Sequence, residues 1–374
     1  MTTDNFSRRQ FLKLSGAALI GTVNFTLPEL TLYVGTYTST TSEGIYTYQM
    51  DQLTGALKRT GAIKSENPSF LAIDPRKRFL YAVNETPAGA VSSFRIDSQT
   101  RQLTFLNQQP SAGADPCFLM VDQRSKSLLL ANYTGGNVAV LPIQRDGSLG
   151  AAIDVEQHEG SGPREQQKAP HAHCIKLDRA NRFAVAADLG SDKVMIYRFN
   201  PLSGKLEPGT QPSAPLHAGA GPRHLTFHPN GKYLYVINEL DSSLTTFKYN
   251  PVNGTLVAFE TVSTLPRDFT GKSFCADIHI SRSGRFLYGS NRGHNSIVVF
   301  AIDPQTARLS LVEHVSTEGK WPRNFVIDPS GRFLLVANQH TDNVVVFSID
   351  SRTGRLTPTG ATEQIPVPVC LQFL

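Results

Sequence analysis

Asp74-Pro-Arg-Lys-Arg-Phe-Leu-Tyr-Ala-Val-Asn84 opens on a turn-forming Asp-Pro pair and closes on an apolar, β-prone run capped by Asn. The same frame returns at Asp122 to Asn132, Asp178 to Asp188, His228 to Asn238, Ser281 to Asn291 and Asp328 to Asn338. The copies lie about 50 residues apart, a spacing that belongs to repeat architectures rather than to a succession of unrelated domains.

Around each copy the chain carries four strand-like segments. The first, strand a, precedes the turn, as in Phe70-Leu-Ala-Ile73. Strand b is the run Phe79-Leu-Tyr-Ala-Val83. Strand c alternates and is rich in β-branched residues, as in Val91 to Ile96 or Val344 to Ile349. A hairpin turn such as Leu202-Ser-Gly-Lys-Leu206 or Arg352-Thr-Gly-Arg-Leu356 leads into strand d. Short β-rich runs broken by Gly, Asn and Asp are the mark of antiparallel meanders. Four-stranded units repeated in this way predict an all-β propeller, which leaves no long exposed edges. The ends set the count. Six units are complete. Leu32 to Thr36, Ile45 to Met50 and the turn Leu53 to Leu57 supply strands b, c and d of another that lacks strand a. Pro368 to Leu374 is a strand a with nothing after it. The C-terminal strand is therefore expected to pair with the N-terminal strands and close a seven-bladed ring over residues 30–374.

Composition agrees. Of 374 residues, 29 are Gly and 23 Pro, as many turns require, and 18% are charged. The net charge of +5 is a mild excess, and no basic run interleaves with aromatics, so nucleic-acid binding has little support. No stretch of 18 apolar residues exists, so no stable membrane insertion is expected. Cys117, Cys174, Cys275 and Cys370 form no CxxC pair and align on strand a of four blades, which reads as buried thiols packing as small hydrophobes. Residues 1–29 are a different text. Ser7-Arg-Arg-Gln-Phe-Leu-Lys13 followed by the apolar Leu14 to Val23 matches the twin-arginine export pattern, an address read by the export machinery as a transient partner. The apolar run is short and no A-x-A cleavage site follows. The expectation is a periplasmic or exported protein, with a cytoplasmic one as the alternative.

In an antiparallel blade the start of strand a and the end of strand b meet on one face, and strand a lines the central channel. Two repeat positions therefore point at the channel mouth. The first lies five residues before the repeat Asp and holds Ser69, Cys117, His173, Arg223, Ala276, Arg323 and, in the closing strand, Val369. Two and four residues on, the strand is apolar in every blade, so period-two alternation gives this position core-facing parity. A cation there needs a partner or a ligand. The second position follows the repeat Asn and holds Glu85, Tyr133, Leu189, Glu239, Arg292, Gln339 and Thr36. Uneven charge on a repetitive frame suits one asymmetric ligand; the plainer reading is that Arg223 and Arg323 pair with Glu239 and Glu85 to join blades. The longest connections, Glu156 to Pro170 and Thr261 to Phe274, fall on the same face. The first ends at Pro170-His-Ala-His173, two histidines for which no third ligand is evident.

Pro170-His-Ala-His173, Gly221-Pro-Arg-His224, Val236-Ile-Asn-Glu-Leu240, Ala276-Asp-Ile-His279 and Ser290-Asn-Arg292, in that order, resemble the lactonase family of seven-bladed propellers. That family includes 6-phosphogluconolactonases and 3-carboxy-cis,cis-muconate lactonizing enzymes, and the resemblance spans about residues 30–374. It implies hydrolysis of a small anionic sugar-acid lactone without metal or cofactor, with His173 or His171, Arg223, Glu239 and Arg292 as the catalytic set. Arg323, Glu85, Tyr133 and Asp277 are expected to bind substrate. Arginines would hold a carboxylate or phosphate and the oxyanion, a histidine would activate water, and Glu239 would orient one of them. On this reading Arg292→Ala abolishes activity and leaves the melting temperature within a few degrees. Cyclisation of a muconate is the enzymatic alternative, and a non-catalytic exported propeller that binds a partner is the other.

Overall fold

The computed structural model describes residues 29–374, so the twin-arginine reading lies outside the described residues. The strands form seven four-stranded antiparallel sheets. Blade 1 runs Leu71–Ile73, Phe79–Asn84, Ala90–Ile96 and Leu103–Pro110. Blades 2 to 6 begin with strands a at Pro116–Val121, Ala172–Leu177, Pro222–Phe227, Phe274–Ile280 and Pro322–Ile327. Blade 7 takes strand a from Pro368–Phe373 and its other strands from Leu30–Thr36, Gly44–Met50 and Leu57–Lys64. Leu32 pairs with Phe373 and Val34 with Leu371, which closes the ring as the sequence predicts.

The repeat residues have physical duties. Asp328 Oδ1 accepts the amides of Arg332 at 2.8 Å and Phe333 at 2.7 Å, so the carboxylate organises the a–b turn. Asp122 does the same for Lys126 and Ser127 at 2.6 and 2.8 Å. The repeat Asn ties the end of strand b to the connection entering its own blade: Asn132 Nδ2 donates to Ser111 O at 3.0 Å and Asn338 Nδ2 to Thr317 O at 3.0 Å. Where blade 3 has Asp188 in place of Asn, the connection supplies His158, whose Nδ1 lies 2.6 Å from Asp188 Oδ2 with both side chains fully buried. In four blades a strand b tyrosine bolts one blade to the next, as where Tyr81 Oη donates to Gly147 O and Tyr288 Oη to Gly354 O, each at 3.1 Å. Gly354 has φ of 76°, and a Cβ there would sit 2.4 Å from the Phe286 ring, so that turn needs glycine twice over. All four cysteines are buried free thiols on strand a.

The a–b ladder breaks at the first mouth position. Register shifts fall between Pro116 and Phe118, Ala172 and Cys174, Pro222 and His224, Cys275 and Ile278, and Pro322 and Asn324. The closing strand slips at the same level, where Pro368 opposes Thr36 and Cys370 opposes Gly35. Strict alternation would carry these residues into the inter-blade packing with Leu225 and Phe227. The β-bulge corrects that expectation: it takes the residue out of the ladder and re-aims its side chain. Below the bulge the channel is plugged by Phe70, Phe118 and His224, whose rings lie 4.3 to 5.8 Å apart. Beyond the plug is a cavity of about 270 Å³ whose lining includes Met120, Lys176, His279, Val326 and Gln372.

Candidate active site

The bulge residues and the ends of strand b meet at the mouth as an ionic cluster. Glu239 Oε2 lies 2.9 Å from Arg223 Nε of its own blade and 2.8 Å from Arg292 Nη2 of the next. Arg223 and Arg292 side chains are 2% and 6% exposed, so leaving either guanidinium without such a partner would be costly. Arg292 is further held by the carbonyls of Cys275 at 2.9 Å and Phe274 at 3.3 Å, and it stacks 5.4 Å from the Trp321 ring centre. Burial alone would raise the Glu239 carboxyl, but Arg292, Arg223 and Arg323 outweigh it and hold the group below the usual carboxylate range. Burial pulls Arg292 down to about 10, against the support of Glu239, so it stays cationic at neutral pH.

A second cluster faces it. Glu85 accepts from Tyr37 Oη at 2.8 Å on both oxygens, accepts from Ser69 Oγ, and lies 3.5 Å from Arg323 Nη2. Arg323 stacks 5.2 Å from the Tyr37 ring centre. The pairings Arg223–Glu239 and Arg323–Glu85 that the sequence suggested are present at the mouth, but Arg223–Glu239 lies within one blade, and it is Glu239–Arg292 that joins that blade to the next. Arg323 acts electrostatically on Glu239, and both Arg223 and Arg323 act on Cys117 and His173, so the two clusters share one field.

The two histidines differ. His171 stacks on Tyr133 at 4.4 Å and 13°, and its Nδ1 lies 2.9 Å from Tyr133 O. A carbonyl can only accept, so Nδ1 carries a proton, and in the neutral ring Nε2 keeps a free lone pair. The His171 amide donates to Asp188 Oδ1 at 3.1 Å, which fixes the loop. His173 is 5% exposed, 3.5 Å from Cys117 Sγ, and T-shaped to Tyr133 at 5.3 Å. Burial first, then Arg223, His224 and Arg323, hold it well below the usual imidazole range. Burial raises the Tyr133 phenol to about 12, so it remains protonated.

His173, His171, Arg223, Glu239, Arg292, Arg323, Glu85 and Tyr133 are therefore all at the mouth. Asp277 is placed differently from its substrate-binding expectation. Its carboxylate is occupied by His224, Asn324 and His279 and lines the cavity beyond the plug. Sequence reasoning missed Tyr37, one residue past the second mouth position, and Trp321. Trp321 adopts φ of 66° while stacked on His340 at 4.9 Å. Its being the chain's single Trp was the available signal.

A buried, cationic mouth on a seven-bladed ring is one feature of a larger likeness: the chain belongs to the lactonase family of seven-bladed β-propellers, whose model matches residues 31–373. A 6-phosphogluconolactonase of Bacillus subtilis (strain 168) is 43% identical over 345 residues, covering 91% of this chain and 97% of that protein. A 6-phosphogluconolactonase of Formosa agariphila is 35% identical over 80% of this chain and 86% of its own. The periplasmic gluconolactonase of Pseudomonas aeruginosa superposes with a TM-score of 0.89 at 35% identity, covering 93% of this chain and 99% of its own.

Proposed function

We propose that the protein hydrolyses the lactone of an anionic sugar acid, of the 6-phosphogluconolactone type. The observation that carries this is the charge at the mouth. Three guanidiniums (Arg223, Arg292 and Arg323) face two carboxylates (Glu239 and Glu85), which leaves one positive charge for a ligand. Planar, permanently charged forks suit a phosphate or carboxylate and, equally, the oxyanion of a tetrahedral intermediate.

His171 is the better base. With Nδ1–H tied to Tyr133 O, Nε2 takes a proton from water as the water oxygen attacks the lactone carbonyl carbon. The carbonyl electrons move to oxygen beside an arginine. Collapse of the intermediate breaks the bond from the carbonyl carbon to the ring oxygen, and the proton held by His171 passes to that oxygen. The product is the open-chain acid. His173, kept neutral by burial and nearby cations, packs against Tyr133 and borders the substrate. Delivery across the cytoplasmic membrane by the twin-arginine route is part of this proposal. It rests on Ser7 to Lys13. Fractionation of cells carrying Arg8→Lys with Arg9→Lys tests it.

The chemistry is tested by following 6-phosphogluconolactone and gluconolactone hydrolysis by the wild type, His171→Gln and His173→Gln. Loss of roughly 100-fold or more in kcat for His171→Gln is expected, with a smaller effect at His173. Wild-type turnover no faster than spontaneous hydrolysis on both lactones would overturn the proposal.

A further inference from the structure

Arg223 is held from three sides. Nε faces Glu239 at 2.9 Å, Nη1 donates to Ala276 O at 2.6 Å, and Nη1 also lies 3.2 Å from His224 Nε2. The Nε contact is ionic rather than a hydrogen bond, so the two Nη1 contacts are what fix the plane of the guanidinium. The contact with His224 works in one tautomer only. Arginine donates and never accepts, so His224 Nε2 must carry a lone pair and Nδ1 the proton. Nδ1 lies 2.8 Å from Asp277 Oδ1, an acceptor that enforces this.

Asp277 cannot swing away. Oδ1 also accepts the Ile278 amide at 2.9 Å; Oδ2 is met by Asn324 Nδ2 at 2.6 Å, His279 Nε2 at 3.1 Å and the Phe325 amide at 3.3 Å. Asn324 Oδ1 accepts the Leu371 amide at 2.7 Å, which extends the belt to the closing strand. Burial and the Arg223 charge push His224 down to about 3, against the pull of Asp277, so its ring is neutral and carries a single N–H.

We propose that Asp277 and His224 are positioning residues: Asp277 locks His224 in the Nδ1–H tautomer, and His224 thereby sets the plane of Arg223 at the mouth. The opposite tautomer would turn an N–H toward Arg223 Nη1, donor against donor, and tilt the guanidinium away from its ligand. The catalytic consequence rests on the lactonase reading; the geometry of Arg223 does not.

Two variants of the full chain separate positioning from mere support. The amide of His224→Gln can accept from Arg223 with its oxygen and donate to Asp277 with its nitrogen. His224→Leu can do neither. The expected result is a loss of about 100-fold in kcat/KM for His224→Leu, the scale of an ångström's misplacement, with His224→Gln within a few-fold of wild type. Inorganic phosphate, read by calorimetry, should bind more weakly to His224→Leu and normally to His224→Gln. Histidine ¹⁵N NMR of the wild type should show His224 protonated at Nδ1. Equal loss of phosphate affinity in both variants, or a proton on Nε2, overturns the positioning role. A wild type inactive on lactones that still gives these phosphate and NMR results overturns the lactonase reading alone.

Discussion

Glu239→Gln is nearly isosteric and removes the one charge that two buried arginines share. At a separation of about 4 Å and an effective dielectric near 20, each Arg–Glu pair carries about 4 kcal/mol of attraction. Glutamine needs no charge desolvation, so the net loss is smaller, about 3–5 kcal/mol for one partner removed from a buried pair. At roughly 2 °C per kcal/mol for a ring of this size, the melting temperature should fall by roughly 6–10 °C. The same change raises the uncompensated charge at the mouth from one to two, so an anion should bind more tightly, by roughly tenfold at low salt. Saturating phosphate should then stabilise the variant by about 1.4 kcal/mol more than it stabilises the wild type. Scanning calorimetry of both proteins with and without phosphate reads all four quantities. A variant as stable as wild type, or one that phosphate stabilises less, would refute the account of Glu239 as the counter-ion that a ligand relieves.

The acid limb should follow the same carboxyl. Its folded pKa is depressed, so its stabilisation is complete above the unfolded value of about 4.3 and is lost as pH falls through the folded value; the gap between urea melts of wild type and Glu239→Gln should narrow as pH falls below about 4.3 and close once pH passes the folded value. Arg292→Ala, for which the sequence suggested little change in melting temperature, should lose several degrees as well as activity, because Cys275 O and Phe274 O lose their donor; an unchanged melting temperature would show that water replaces it. Asp328→Ala strands the amides of Arg332 and Phe333 and should cost about 2 kcal/mol. That turn lies at the far end of strand a, so KM should not change, and a raised KM would contradict this placement.

The ring was legible because each repeat residue performs a backbone task that few side chains can do. Asp328 must accept amides and Asn338 must donate to Thr317 O, so the spacing survives where the apolar residues vary. The mouth was legible because topology alone brings the start of strand a to the end of strand b. The bulge was not, since nothing in Pro222-Arg-His224 distinguishes a bulge from a continuing strand. In blade 5 the slip spans Ala276 and Asp277 together. It sends Asp277 past the plug, where counting from the repeat could not place it. Tautomers and stacked partners such as Trp321 with His340 depend on neighbours far apart in the chain and leave no local pattern.

The partnership of Leu30–Thr36 with Pro368–Phe373 imposes an order in time. A chain emerging from the ribosome makes three strands of blade 7 early and must wait for nearly all the rest before the fourth exists. Six blades can form in turn as they appear, but the circle stays open, and the Asn324 side chain lacks the Leu371 amide it will hold. The Asn324 bond to the closing strand therefore comes into being last. A chain that lacks its last strand is a half-made clasp.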